Sequence, residues 1–166
     1  MHNTSTPKRL DPALLLDNQL CFSLYSASLA MTKLYKPLLD ALALTYPQYL
    51  VMLVLWESDG PTVSAMGERL SLDSGTLTPL LKRMESAGWL TRQRSSEDER
   101  RVHVWLTPAG HQLQSQAAHI PGCVLAQSGL SLADLIGLNQ QIKKLRSAMH
   151  APGAATKPFT TNTTQP

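Results

Sequence analysis

The sequence predicts a mostly α-helical chain that carries one small β-hairpin. Three observations lead there. Apolar residues recur at helical spacing over most of the 166 residues. The period switches to strict alternation only between residues 89 and 107. Between the two alternating runs lies a polar, charged stretch of the kind that forms a hairpin tip.

The first residues are polar and read as a flexible arm over residues 1–12. Asp11-Pro12 supplies an N-cap and a first-turn proline, so a long helix is expected from about Ala13 to Lys36. Its apolar residues, among them Leu16, Leu20, Phe22, Tyr25, Leu29 and Leu34, cover more than one face. A helix of that kind is buried on several sides, as in a dimer interface. Pro37 and Pro47 bracket an expected connector, and a second buried helix runs from Pro47 to Trp56. Ser58-Asp59-Gly60-Pro61 is a turn.

Thr62 caps a short helix to Leu70, with Val63, Met66 and Leu70 inward. Ser71-Leu72-Asp73 makes a tight break, and a further helix is expected from Ser74 to Ala87, closed by Gly88. Leu77, Leu80, Leu81 and Met84 form a single apolar stripe along it. Pro79 lies inside this helix and costs roughly 3 kcal/mol there. A start at Thr78-Pro79 is the other option, but the earlier start leaves the three- or four-residue turn that a helix-turn-helix requires. Trp89 to Arg94 and Val102 to Thr107 are the two strands, with Val102, Val104 and Leu106 on one face and His103, Trp105 and Thr107 on the other. Thr107-Pro108 starts a helix towards Pro121, Ser131 opens a last helix, and residues 150–166 read as a disordered tail. Helix, turn, helix and charged hairpin is the order of a winged helix-turn-helix.

Composition bounds the function. Charged residues make up 16% of the chain and hydrophobic ones 43%, so part of the apolar surface is expected to be covered by a second copy. A net charge of +3 permits nucleic acid without requiring it. The start of the chain lacks the apolar core of a secretory signal. No apolar run is long enough to cross a bilayer, and a cytoplasmic protein without a membrane partner follows. Two cysteines in that compartment are expected to be reduced at rest. His2, His103, His111, His119 and His150 are scattered without metal-ligand spacing, and neither metal nor cofactor is expected.

The second helix of the pair offers Ser74, Thr76 and Thr78 near its N-terminus, where base edges and phosphates are both in reach. Lys82 and Arg83 are long enough for the phosphate backbone. Arg100 at the hairpin tip can enter an adjacent minor groove. A Lys-Arg pair on an amphipathic helix is by itself only a solvated face; the ordered set of helix, turn, helix and wing is what points to DNA.

Four segments carry a resemblance. Leu16-Asp17-Asn18-Gln19-Leu20-Cys21-Phe22, Leu44-Thr45-Tyr46-Pro47-Gln48-Tyr49-Leu50, Leu72 to Arg83, and Asp98-Glu99-Arg100 together resemble the MarR family, and more closely its organic-hydroperoxide-resistance-regulator group. The resemblance spans roughly Leu14 to Leu145. It implies an interlocked homodimer that represses transcription from a pseudo-palindromic, double-stranded operator and releases it when an organic hydroperoxide oxidises Cys21. It also implies that residues 13–40 and 108–149 form the dimerisation region and residues 47–107 the DNA-binding region. By position, Tyr35 and Tyr46 match a pair of tyrosines that reach Cys21 from the other subunit, and Tyr25 a further tyrosine near the site. Ser74, Thr76, Lys82 and Arg83 match the recognition helix, Asp98 and Arg100 the wing, and Arg92 a basic residue near the DNA backbone. Cys123 matches the region where some members keep a resolving cysteine. The two-cysteine type is therefore implied.

The chemistry asks for a thiolate, since the thiol is a poor nucleophile towards an O–O bond, and the phenols of Tyr35 and Tyr46 would supply hydrogen bonds to it. Two other readings stand beside this one. A repressor of the same fold can answer to a small phenolic or anionic ligand. A thiol peroxidase also uses two cysteines, but it has no use for a wing and a recognition helix, and no enzyme activity is expected.

Overall fold

The computed structural model describes residues 11–150. Most of the arm expected over residues 1–12 and nearly all of the tail from 150 lie outside them. The chain falls into two compact units, one through Val124 and one from Leu125.

In the first unit, the expected start at Asp11 is in place. Its Oδ1 accepts from the Ala13 amide at 2.9 Å. The helix does not continue from there. Two short 3-10 turns, Pro12–Leu14 and Leu16–Asn18, precede α1, which runs Leu20–Asp40. The side-chain amide of Asn18 donates to the Pro12 carbonyl at 2.8 Å, and that of Gln19 donates to the carbonyls of Ala13 and Leu15. These bonds take the carbonyls that a continuous helix would use, and Leu15 is extended.

The far end of α1 also departs from expectation. Pro37 lies inside the helix, so the connector shrinks to residues 41–45. Leu39 is 1% exposed and anchored in the core, which keeps the last turn helical despite the missing N–H of Pro37. Ala43, in the left-handed region at φ 55°, then reverses the chain.

Helix α2 (Tyr46–Glu57) starts where Gln48 accepts from the Thr45 amide at 2.8 Å. Tyr49, Val51, Met52, Val54 and Leu55 are buried. The turn after it contains Gly60 at φ +82°, and the Trp105 ring occupies the place where a Cβ would stand. Helix α3 (Val63–Leu70) is capped by Thr62, which accepts from Ala65. Helix α4 (Ser74–Ser86) begins at the earlier of the two possible starts and tolerates Pro79 inside it. Leu77, Leu80, Leu81 and Met84 are all buried. Burial of four such side chains at roughly 1.5–3 kcal/mol each outweighs the proline penalty.

Strands β1 (Leu90–Arg94) and β2 (Val102–Leu106) pair antiparallel, with Leu90 opposite Leu106 and Arg94 opposite Val102. Thr62 adds a bridge to His103. Val104 is fully buried and Trp105 exposed, as the alternation requires. Helix α5 (Pro108–Ala117) is capped by Thr107, and its Gly110 carbonyl accepts from the Trp56 indole at 3.0 Å. Helix α6 (Ile120–Ser128) resumes around Pro121, contributing Ile120 and Val124 to the core. The set α3, turn, α4, hairpin is a winged helix-turn-helix.

In the second unit, α7 (Leu132–His150) is opened by Ser131, whose hydroxyl accepts from the Asp134 amide at 3.1 Å and donates to its carboxylate. No residue of α7 is buried. Leu132, Ile136, Leu138 and Ile142 are all exposed.

Candidate nucleic-acid interface and thiol site

Asp73 builds the N-terminus of α4. Its Oδ1 accepts from the Thr76 amide at 2.9 Å and its Oδ2 from the Thr76 hydroxyl at 3.0 Å. The hydrogen bond from the Thr76 backbone, followed by that from its hydroxyl, holds the Asp73 carboxyl below the usual carboxylate range. Thr76 has thus spent its hydroxyl proton and offers the outside only lone pairs. Ser74, Thr76, Lys82 and Arg83 are exposed, and Thr78 is half-buried beside them.

Asp98 organises the wing tip from inside. It accepts from the Arg100 amide at 3.0 Å, and its carboxylate lies 3.5 Å from Nε of Arg101. Ser95 closes the other side, its hydroxyl accepting from the amides of Glu97 and Asp98. Arg100 is left exposed; among the described residues no carboxylate pairs with it.

Arg92 is held differently from the other basic residues. Its amide donates to Oε1 of Glu85 at 2.8 Å, and Nε and Nη2 donate to Oε2 at 3.0 and 2.7 Å. The Arg92 hydrogen bonds hold the Glu85 carboxyl below its ordinary range. Both side chains are largely covered, at 24% and 33% exposure. This pair fastens the recognition helix to β1, and Glu85 was not singled out in the sequence. The i, i+7 separation across Gly88 is a weak signal, visible only once the helix-to-strand corner is drawn.

Because α1 starts at Leu20, Cys21 stands in its first turn. Cys21 is a free, exposed thiol. Tyr25 lies one turn on, on the same face and exposed. Cys123 is also free and half-buried in α6.

Tyr35 and Tyr46 meet at the α1–α2 junction with ring centroids 5.0 Å apart, and Tyr49 joins them at 5.9 Å from Tyr35. Burial raises the Tyr35 phenol above its usual value, with repulsion from Tyr46 and Tyr49 adding to it. Burial does the same for Tyr46 and Tyr49. All three remain protonated at neutral pH and can act as donors. Tyr49 was missed as a member of this cluster, though its i, i+3 spacing from Tyr46 places it on the same helix face.

The phenols and the thiol of one chain do not meet. Cys21 and Tyr35 are fourteen residues apart on one unbroken helix, about 21 Å at the rise of an α-helix. The outer surface of α1 is apolar and exposed, with Leu20, Phe22, Tyr25, Leu29 and Met31 open to solvent.

A family model of the SarA/Rot transcriptional regulators matches residues 33–116. The organic hydroperoxide resistance transcriptional regulator of Bacillus subtilis (strain 168) is 55% identical over 135 residues, covering 81% of this chain and 92% of that protein. Among solved structures, reduced AbfR bound to DNA is 35% identical with a TM-score of 0.68, covering 81% of this chain and 94% of that one. Disulfide-formed AbfR is 39% identical with a TM-score of 0.56, covering 79% and 92%; AbfR comes from Staphylococcus epidermidis. No single helix among the described residues is long and apolar enough to cross a membrane. With the winged helix-turn-helix in place, the chain belongs to the MarR family of transcription regulators, in its organic-hydroperoxide-resistance group, a family of DNA-binding regulators and not of enzymes.

Proposed function

We propose that this chain is a cytoplasmic, homodimeric repressor that holds a pseudo-palindromic operator while Cys21 is reduced and releases it when an organic hydroperoxide oxidises that thiol. The observation that carries the reading is the separation of Cys21 from Tyr35 and Tyr46. A thiol at one end of α1 and neutral phenol donors at the other end make a site only when a second chain runs alongside. The exposed apolar surface of α1 is the surface that such a partner would cover.

DNA is held by Ser74 and Thr78 at base edges or phosphates, by Thr76 as an acceptor at base edges, and by Lys82 and Arg83 at the backbone. Arg100 enters the minor groove, with Asp98 shaping the tip that presents it. Arg92 contributes chiefly by fixing the wing to α4, since its guanidinium is engaged by Glu85. Residues 47–107 are the DNA-binding region, and α1 with the helices of residues 108–149 supplies dimer contacts.

The Cys21 thiolate attacks the distal oxygen of the hydroperoxide while Tyr35 and Tyr46 of the partner subunit donate to the sulfur and Tyr25 lines the approach. The S–O bond forms as the O–O bond breaks. The alkoxide takes a proton from solvent and leaves as the alcohol, and the sulfur, oxidised by two electrons, becomes a sulfenic acid. Cys123 of the second chain then attacks that sulfur, forming the disulfide and expelling water. AbfR, which has been solved in both reduced and disulfide-formed states, supports this two-thiol route. Bridging requires the two α-carbons to come within about 7 Å; a resting separation larger than this forces a helix to move, and that movement shifts the spacing of the recognition helices.

Replacing Cys21 by Ser tests the reading directly. Operator binding in a gel shift should persist and release by cumene hydroperoxide should vanish. Release by that variant would overturn the proposal.

A further inference from the structure

The two faces of the wing differ. Leu90, Arg92 and Val104 stand on the side that packs towards the core and α4, where Glu85 holds Arg92. Strand alternation puts Thr91, Gln93, His103 and Trp105 on the other side. There an open groove of about 280 Å³ runs up to the hairpin tip. It is smaller than the clefts of about 300 Å³ and more that hold drug-sized ligands. Its floor is aromatic. The Trp105 ring lies over Gly60, and the His103 ring stacks beside it at an interplanar angle of 26°. His103 Nδ1 lies 2.8 Å from the Gly60 carbonyl, so that nitrogen carries the proton and the neutral ring presents only a lone pair at Nε2.

The donors come from the rim. Gln93 and Ser96 line it and are exposed. The Ser95 oxygen accepts from the Glu97 and Asp98 amides, which leaves its own O–H free to donate. Arg94, the last residue of β1, supplies positive charge to the rim and is exposed. Among the described residues no carboxylate pairs with it. Glu97 is the opposing charge on the same rim.

Guanidinium, amide and hydroxyl donors around a space too small for a drug-sized ligand fit a phosphate group. A hairpin tip placed in a minor groove, which is about 6 Å wide, has a sugar–phosphate backbone on either side of it. Lys82 and Arg83 serve the backbone on the α4 side. The outer face of the wing looks towards the other one. We propose that this groove seats an operator phosphate on the side of the minor groove away from α4, with Arg94 as its cation and Gln93, Ser95 and Ser96 as further donors. Each half-site then extends outward past the base pairs that Arg100 reaches, and this outermost contact positions the wing without reading sequence. Glu97 opposes the phosphate and limits affinity. The placement rests on the reading of Arg100 as the residue that enters the minor groove.

The test uses the reduced full-length chain and operator duplexes in fluorescence anisotropy, with one neutral methylphosphonate linkage per half-site moved stepwise along the flanking backbone. Wild type should lose about tenfold in affinity at one linkage beyond the minor-groove contact. Arg94→Ala, folded as wild type by circular dichroism, should bind the all-phosphate duplex about tenfold more weakly and flatten the slope of log K against log salt by about 0.9 per half-site. It should also become indifferent to that same linkage. Arg94→Lys should keep the slope, and Arg100→Ala should keep the sensitivity to that linkage. Glu97→Gln should bind about threefold more tightly. The proposal is overturned if Arg94→Ala matches wild type in affinity and slope, if it weakens binding with the slope unchanged, or if it stays sensitive to the linkage. Weaker binding by Glu97→Gln would also overturn it. If Arg100→Ala binds as tightly as wild type, the minor-groove reading fails, and the linkage scan with Arg94→Ala still decides the groove.

Discussion

Cys21 and Tyr35 share one continuous helix yet stand about 21 Å apart along it, so the Cys21 sulfur and the phenol pair of the same chain do not form one site. Heterodimers make this testable. Tyr35→Phe with Tyr46→Phe should slow sulfenic acid formation roughly 10- to 100-fold, since a hydrogen bond to a charged group contributes about 1.5–3 kcal/mol. A heterodimer of that double variant with a Cys21→Ser chain holds one intact thiol facing two intact phenols. It should oxidise at the normal rate for one site per dimer, as followed by a sulfenic-acid probe. A slow heterodimer would mean that the phenols act within their own chain or not at all.

The Glu85–Arg92 pair fastens α4 to β1 and is two-thirds covered, so it is worth more than a surface ion pair and less than a sealed one. Glu85→Gln should cost about 1 kcal/mol at pH 7 after allowance for solvent screening. The folded carboxyl lies below its ordinary value. Its contribution is therefore complete above the unfolded carboxylate range near about 4.3 and disappears as pH falls through the lowered folded value. Urea melts of wild type and variant should differ at pH 7 and converge in acid. A gap that persists at the lowest pH would assign the loss to packing instead.

Gly60 carries a different constraint. At φ +82°, with the Trp105 ring where a Cβ would point, alanine meets both backbone strain and a clash. Left-handed strain alone costs about 1–2 kcal/mol, and displacement of the ring adds a further 1–3 kcal/mol. In a Trp105→Ala background the Gly60→Ala penalty should shrink to the strain alone. Thermal melts of the four proteins of this double-mutant cycle read the coupling. Equal penalties in both backgrounds would show that the ring moves aside freely.

The contrast between Gly60 and α4 shows what a sequence carries. The apolar stripe Leu77, Leu80, Leu81 and Met84 is periodic, so it was readable, and it prevailed over Pro79 as expected. The end of α1 was not readable in the same way, because Pro37 is a local signal against a helix while Leu39 burial is a tertiary fact. The start of α1 failed for a related reason: Asn18 and Gln19 look neutral in a helix, and only their reach back to Pro12 and Ala13 breaks it. The site divides similarly. Cys21, Tyr35 and Tyr46 came from a motif, whereas Glu85 matters because Arg92 lies opposite it in space. Asp98 was legible as part of the wing, but its role within the tip needed the hydrogen bonds.

Asp98 and Arg100 are neighbours in that tip with opposite duties, and salt separates them. Arg100 projects a charge, so Arg100→Ala should weaken operator binding and reduce the slope of log K against log salt by about one counterion. Asp98 accepts the Arg100 amide and faces Arg101; its replacement by Ala removes no cation. Asp98→Ala should weaken binding by loosening the loop that presents Arg100, while the salt slope stays within a few tenths of wild type or steepens slightly as a repelling carboxylate is lost. Fluorescence anisotropy over a range of salt concentrations distinguishes the two. A flattened slope in Asp98→Ala, equal to that of Arg100→Ala, would mean that the arginine contact is lost outright when the loop is released. An unchanged affinity in both variants would remove the wing from the operator contact altogether.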